Sequence, residues 1–99
     1  MAGFVQIVEF RTSRFDEGQK IVDEWRAKTE GKRSSVRAMM LQDREDPSHY
    51  YTIVEFASYE EAMRNSELPE TQELSQKLAA LTEGGQAFHN LDVVRVEEG

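Results

Sequence analysis

Residues 4–10 (FVQIVEF) and 50–56 (YYTIVEF) place apolar side chains on both faces of a strand, and this constrains the fold more than any other feature of the chain. Successive strand residues point to opposite faces, so Phe4, Val8 and Phe10 go one way and Val5 and Ile7 the other. In the second run Val54 and Phe56 oppose Tyr51 and Ile53; in residues 36–41 (VRAMML), Val36, Ala38 and Met40 oppose Met39 and Leu41. Strands of this kind need cover on both sides of their sheet.

Helical patterns fall between them. Thr12 or Ser13 can cap a helix from residue 15 to about 29, in which Phe15, Ile21, Val22 and Trp25 share a stripe with Gly18, and Gly31 stops it. Residues 43–48 (DREDPS) read as a hairpin connection. Ser58 followed by Glu61 is a capping box opening a short helix with Ala62 and Met63 inward. Pro69 suits the first turn of a further helix, with Leu68, Leu74, Leu78 and Leu81 at three- and four-residue steps until Gly84-Gly85. A fourth strand is expected over residues 88–96. The order β-α-β-β-α-β predicts a ferredoxin-like α+β sheet as a single domain over residues 1–99. Ile7-Val8-Glu9-Phe10 recurs as Ile53-Val54-Glu55-Phe56, which fits two pseudo-equivalent halves and equally fits a shared preference for strand formers. On this reading strands one and three lie parallel at the centre.

Composition bounds the partners. A 99-residue chain, 38% hydrophobic and 31% charged, supports one core. Its net charge of -7 opposes attraction to phosphate backbones, so nucleic acid is not an expected partner. The chain has no cysteine, which excludes disulfides and thiolate chemistry; without a leader-like or membrane-spanning apolar run as well, a cytoplasmic protein away from membranes is expected. Helices can cover only one face of a four-stranded sheet. A homodimer with sheets face to face satisfies the other, the alternative being a partly solvated face that tolerates Tyr51 and the methionines.

The same topology places the chemistry-bearing residues. His49 and His89 begin strands three and four and are expected at opposite ends of the sheet; with Asp43, Glu45 and Asp46 in a solvated turn, no metal site is expected. Gly84-Gly85 lacks the spacing of a phosphate loop, and Lys32, Arg33 and Arg37 either solvate a loop or hold an anion. Glu9, Glu55 and His89 are expected to converge, either as a catalytic acid–base group or as an interface network in which Arg37 reaches Glu55. On the helix side Gln6, Tyr50, Thr52, Phe56 and Asn90 bound a pocket for a small aromatic ligand, with Trp25 either in the core or against that ligand.

The strand FVQIVEF, the passage YYTIVEFASYEEAMRNSELPETQELSQKLAAL and the closing FHNLDVV resemble the dimeric α+β barrels of the antibiotic-biosynthesis-monooxygenase-like group, over nearly the whole chain. The passage EF-x-S-x-E-E-A is a shape signature there and marks no active site. The group includes cofactor-free quinone-forming monooxygenases, haem-degrading enzymes, small isomerases and proteins of no assigned activity. The haem-degrading branch relies on an Asn, Trp and His set; the matching positions here are Gln6 or Val8, Phe56, and one near Glu73, so the set is not matched. The resemblance thus implies a monooxygenase-like activity on a small aromatic or polyketide-type substrate without cofactor, in which the substrate is itself an oxidisable phenolic anion. A noncatalytic ligand-binding or structural barrel is the alternative.

Overall fold

In the computed structural model, which describes residues 3–99, the alternating runs become β1 (Phe4–Arg11), α1 (Phe15–Lys28), β2 (Ser35–Gln42), β3 (His49–Phe56), α2 (Tyr59–Ser66), α3 (Pro69–Ala79) and β4 (Gln86–Asp92). The four strands form one antiparallel sheet in the order β2-β3-β1-β4, and the three helices make this a ferredoxin-like α+β fold. No helix among the described residues is long and apolar enough to cross a membrane.

One expectation about the sheet is overturned. β1 and β3 are neighbours but antiparallel, with Phe4 opposite Phe56 and Arg11 opposite His49. The physical reason is connectivity: α1 carries the chain back so that β2 starts from the same end as β1, and the hairpin after β2 then reverses β3. β4 is antiparallel to β1 on its other side, with Ile7 opposite His89 and Gln6 opposite Asn90. β3 and β4 therefore flank β1 in the same direction.

The helices pack on the face that carries Phe4, Gln6, Val8, Phe10, Tyr50, Thr52, Val54 and Phe56. Phe4, Phe56 and Ala62 form the buried cluster there, with Val54 and Met63 against it. The Phe4 and Phe56 rings are tilted at 6.4 Å, and Tyr59 meets Phe4 edge-on at 5.4 Å. At the other end Tyr50 stacks with Phe15 at 4.3 Å and with Phe10 at 5.7 Å, which ties the start of α1 to the sheet.

Local signals explain the helix ends. Ser58 accepts from the Glu61 N–H at 3.2 Å, so the expected cap of α2 forms. Pro69 sits in the first turn of α3, where its missing N–H costs nothing. The start of α1 differs from expectation: Arg14 is its N-cap and no side chain caps it. Thr12 instead accepts from the Arg14 N–H at 2.9 Å and donates to the Leu81 carbonyl at 2.7 Å, joining the end of β1 to the end of α3. Thr29, fully buried, closes α1 by donating its hydroxyl to the Trp25 carbonyl at 2.7 Å. The expected strand to residue 96 ends at Asp92. The ladder with β1 ends at the Phe4–Asp92 pair, Val93 still donates to the Gly3 carbonyl at 3.0 Å, and Val94 and Val96 are exposed.

Candidate functional site

The sheet carries a polar group on each face, and the register decides which residues share one. On the helix-facing side Gln6 of β1 and Asn90 of β4 stand opposite each other, and the Gln6 carboxamide donates to Asn90 Oδ1 at 3.1 Å. Thr52, opposite Val8 on β3, lies diagonal to Gln6, with its hydroxyl 3.0 Å from Met40 Sδ. Val8, Val54, Phe88 and Met40 surround them on the same face. No residue of α1 or α3 is fully buried, Gln6, Val8, Thr52 and Val54 keep partial exposure, and Met40, Phe88 and Asn90 are exposed, so the layer between these helices and the sheet is not sealed.

Gln6, Thr52 and Asn90 are thus brought together, whereas the other three residues assigned to the pocket have different surroundings. Phe56 is 3% exposed in the core and is not a free wall. Tyr50 is stacked with two other rings, and its hydroxyl meets Gln42 Nε2 at 3.2 Å. It also lines an open groove of about 330 Å³ with Thr12, Phe15, Asp46 and Ser48. Trp25 donates its indole N–H to Thr71 at 3.1 Å and lies under the Arg33 guanidinium at 5.6 Å, joining α1 to α3.

On the opposite, open face the expected convergence of Glu9 with Glu55 is corrected. Antiparallel pairing puts Tyr51 opposite Glu9 and moves Glu55 to the far end, opposite Val5. There Glu55 pairs with Arg37 at 2.5 Å, the contact that belongs to the interface-network reading. The same reversal brings the two histidines, expected at opposite ends, to a single carboxylate. His49 Nε2 is 2.7 Å from Glu9 Oε2, and His89 Nε2 is 3.8 Å from Glu9 Oε1. Asp43 approaches the other His49 nitrogen at 3.4 Å. Its carboxyl is held below the usual range by the Glu45 N–H, with a smaller contribution from the His49 ring. Tyr51, whose ring lies 4.8 Å from that of His49, has its phenol pushed up by burial and by the Glu9 charge. Sequence reasoning misses His49 and Asp43 as members of this group; the hairpin between β2 and β3, taken with the right-handed crossover rule, is the signal that places them.

Around these groups the open face is apolar: Val5, Ile7, Ile53, Met39, Leu41 and Leu91 share it. Met39, Leu41 and Leu91 are exposed. A four-stranded antiparallel sheet with helices on one side and an apolar open side defines the class: the chain has the fold of the antibiotic biosynthesis monooxygenase-like α+β proteins.

No protein-family model matches the sequence, and no curated protein matches it. Among solved structures it is similar to a mutant form of SnoaB, a cofactor-independent oxygenase from Streptomyces nogalater, at 14% identity over 97% of each chain with a TM-score of 0.81. A conserved protein from Methanosarcina mazei Go1 is 10% identical over 93% of each chain, with a TM-score of 0.80. A protein described as an antibiotic biosynthesis monooxygenase is 16% identical over 93% of this chain and 99% of its own, with a TM-score of 0.74. These likenesses establish the shared fold.

Proposed function

We propose that the chain is a cofactor-independent, monooxygenase-like protein that takes a small aromatic or polyketide-type substrate between the sheet and α1/α3 and works as a homodimer. The observation that carries the reading is the uncharged Gln6–Asn90 carboxamide pair at the solvent-exposed β4 edge of an unsealed, otherwise largely apolar layer. With Gln6 bound to Asn90, the Asn90 amide N–H groups remain to donate to a phenolate or carbonyl oxygen, while Val8 and Phe88 offer apolar surface to the ring. Carboxamide donors stabilise an oxyanion without contributing a charge of their own. The substrate supplies the electrons: in an anthrone-type substrate a ring CH₂ becomes a carbonyl, one oxygen atom of O₂ enters the product and the other leaves as water with both hydrogens, whereas a hydroquinone gives two electrons and two protons to O₂, leaving quinone and H₂O₂.

The open face is assigned to assembly. A compact monomer of this mass exposes about 5,800 Å² by the general size scaling, whereas this chain exposes 6842 Å². The excess includes the exposed residues after β4, so the assignment rests on Met39, Leu41 and Leu91, exposed together on the open face. Glu9, Glu55 and His89 on this face then serve the interface rather than the reaction. Ile53→Lys, which places an ammonium at its centre, dissociates or unfolds the dimer.

The test is oxygen uptake with a panel of hydroquinones and anthrones. Uptake above background, cut about tenfold or more by Asn90→Ala, supports the reading. Absence of uptake across the panel rejects it in favour of a noncatalytic ligand-binding or structural barrel.

A further inference from the structure

The reversal of β3 leaves one carboxylate, Glu9, between two imidazoles on the face assigned to assembly. Among the described residues, the charged or titratable groups facing it are these. β1 contributes Glu9 and Arg11, β3 contributes His49 and Tyr51, β4 contributes His89, and the connection after β2 contributes Asp43. Arg11 is occupied by Asp46 of the same connection, and Glu55 is occupied by Arg37 at the far end of the face. The Tyr51 phenol, displaced upward, stays neutral through the physiological range. What varies is therefore the charge of two imidazoles against two carboxylates.

Histidine is the side chain whose charge ordinarily changes between pH 5 and 8. With both rings neutral the group carries two negative charges, and with both protonated it carries none. Its position makes that difference consequential. The His49 side chain is already 10% exposed, while those of Glu9 and His89 are 36% and 50% exposed, so a second sheet laid on this face takes the outer members from water. Removing an unbalanced carboxylate from water is costly, and a twofold interface does this to two copies at once. The whole chain, at -7, adds repulsion of the same sign.

We propose that the Glu9–His49–His89–Asp43 group makes pairing of two copies through the open face proton-dependent, so that the dimer tightens as pH falls through the neutral range. The inference rests on the face-to-face pairing proposed above. Its sign follows from charge: proton uptake accompanies association while the carboxylates remain ionised.

The dimer dissociation constant, measured by sedimentation from pH 8.5 to 6.0 at fixed ionic strength, tests this directly. Each net proton taken up per dimer lowers it about tenfold per pH unit, so a decrease of at least about tenfold over the range is expected. His89→Gln, at a half-exposed position that leaves the sheet intact, reduces that slope by about half. Glu9→Gln removes a negative charge and tightens the dimer at pH 8.5. A monomer at every pH overturns the pairing and this inference together. A stable dimer whose dissociation constant ignores pH, loosens on acidification, or keeps its full slope in His89→Gln overturns this inference and leaves the pairing standing.

Discussion

Replacing Phe56 by leucine separates a core role from a ligand-binding role, because the two assign the same ring to different partners. The ring is 3% exposed and packs with Phe4, Ala62, Val54 and Met63. Leucine keeps the site apolar but loses the tilted pairing with Phe4 at 6.4 Å, an interaction worth about 0.5–1.5 kcal/mol beyond burial. A small void in a packed site adds a few tenths. The expected loss is about 1–2 kcal/mol, and at roughly 4–8 °C per kcal/mol for a chain of this size the Tm falls by about 5–15 °C. The assay is thermal unfolding followed by circular dichroism, paired with oxygen uptake at a temperature where both proteins are folded. Activity per folded molecule remains near that of the wild type. An unchanged Tm with abolished activity would show that the ring faces substrate and would refute the core assignment.

Two further outcomes follow from side chains outside that core. The Asp46 carboxyl is lowered to about 2 by the Arg11 hydrogen bond and by Ser48; because the folded pKa is depressed, its stabilisation is complete above the ordinary carboxylate range and disappears as pH falls from about 4 to 2. Asp46→Asn therefore lowers the Tm at pH 7, has a progressively smaller effect as pH falls toward 2, and flattens the acid limb of a Tm-against-pH curve. Ser58→Ala removes the acceptor for the Glu61 N–H at the start of α2, and urea unfolding should register a loss of about 1 kcal/mol.

The element order is legible because each run combines a clear period with a specific end signal. Ser58 and Pro69 set the starts of α2 and α3 through local chemistry alone. Strand direction is not a local property. The pattern FVQIVEF is apolar on both faces whichever way its neighbour runs, so only the connection through α1 and the hairpin separates Glu9 from Glu55 and sets the register. Gln6, Thr52 and Asn90 share a face on either reading, because reversing a neighbouring strand need not change the side to which a residue points. Phe56 is on that face too, but its place at the end of β3 under α2 turns it from a wall into core. The extra reach expected of β4 also fails: Val94 and Val96 have strand character, but the ladder with β1 runs only to the Phe4–Asp92 pair and both side chains are left exposed.

Trp25 is the chain's single tryptophan, and it lies at the seam of α1 and α3, bonded to Thr71 and covered by Arg33. It therefore gives the molecule an optical signal of its own. A guest that parts α1 from α3 must break the indole bond and change the emission, whereas events on the opposite side of the sheet occur a full layer away. Fluorescence from this one residue can follow the seam while an independent hydrodynamic signal follows mass, so that two processes in the same tube can be timed separately without attaching a dye.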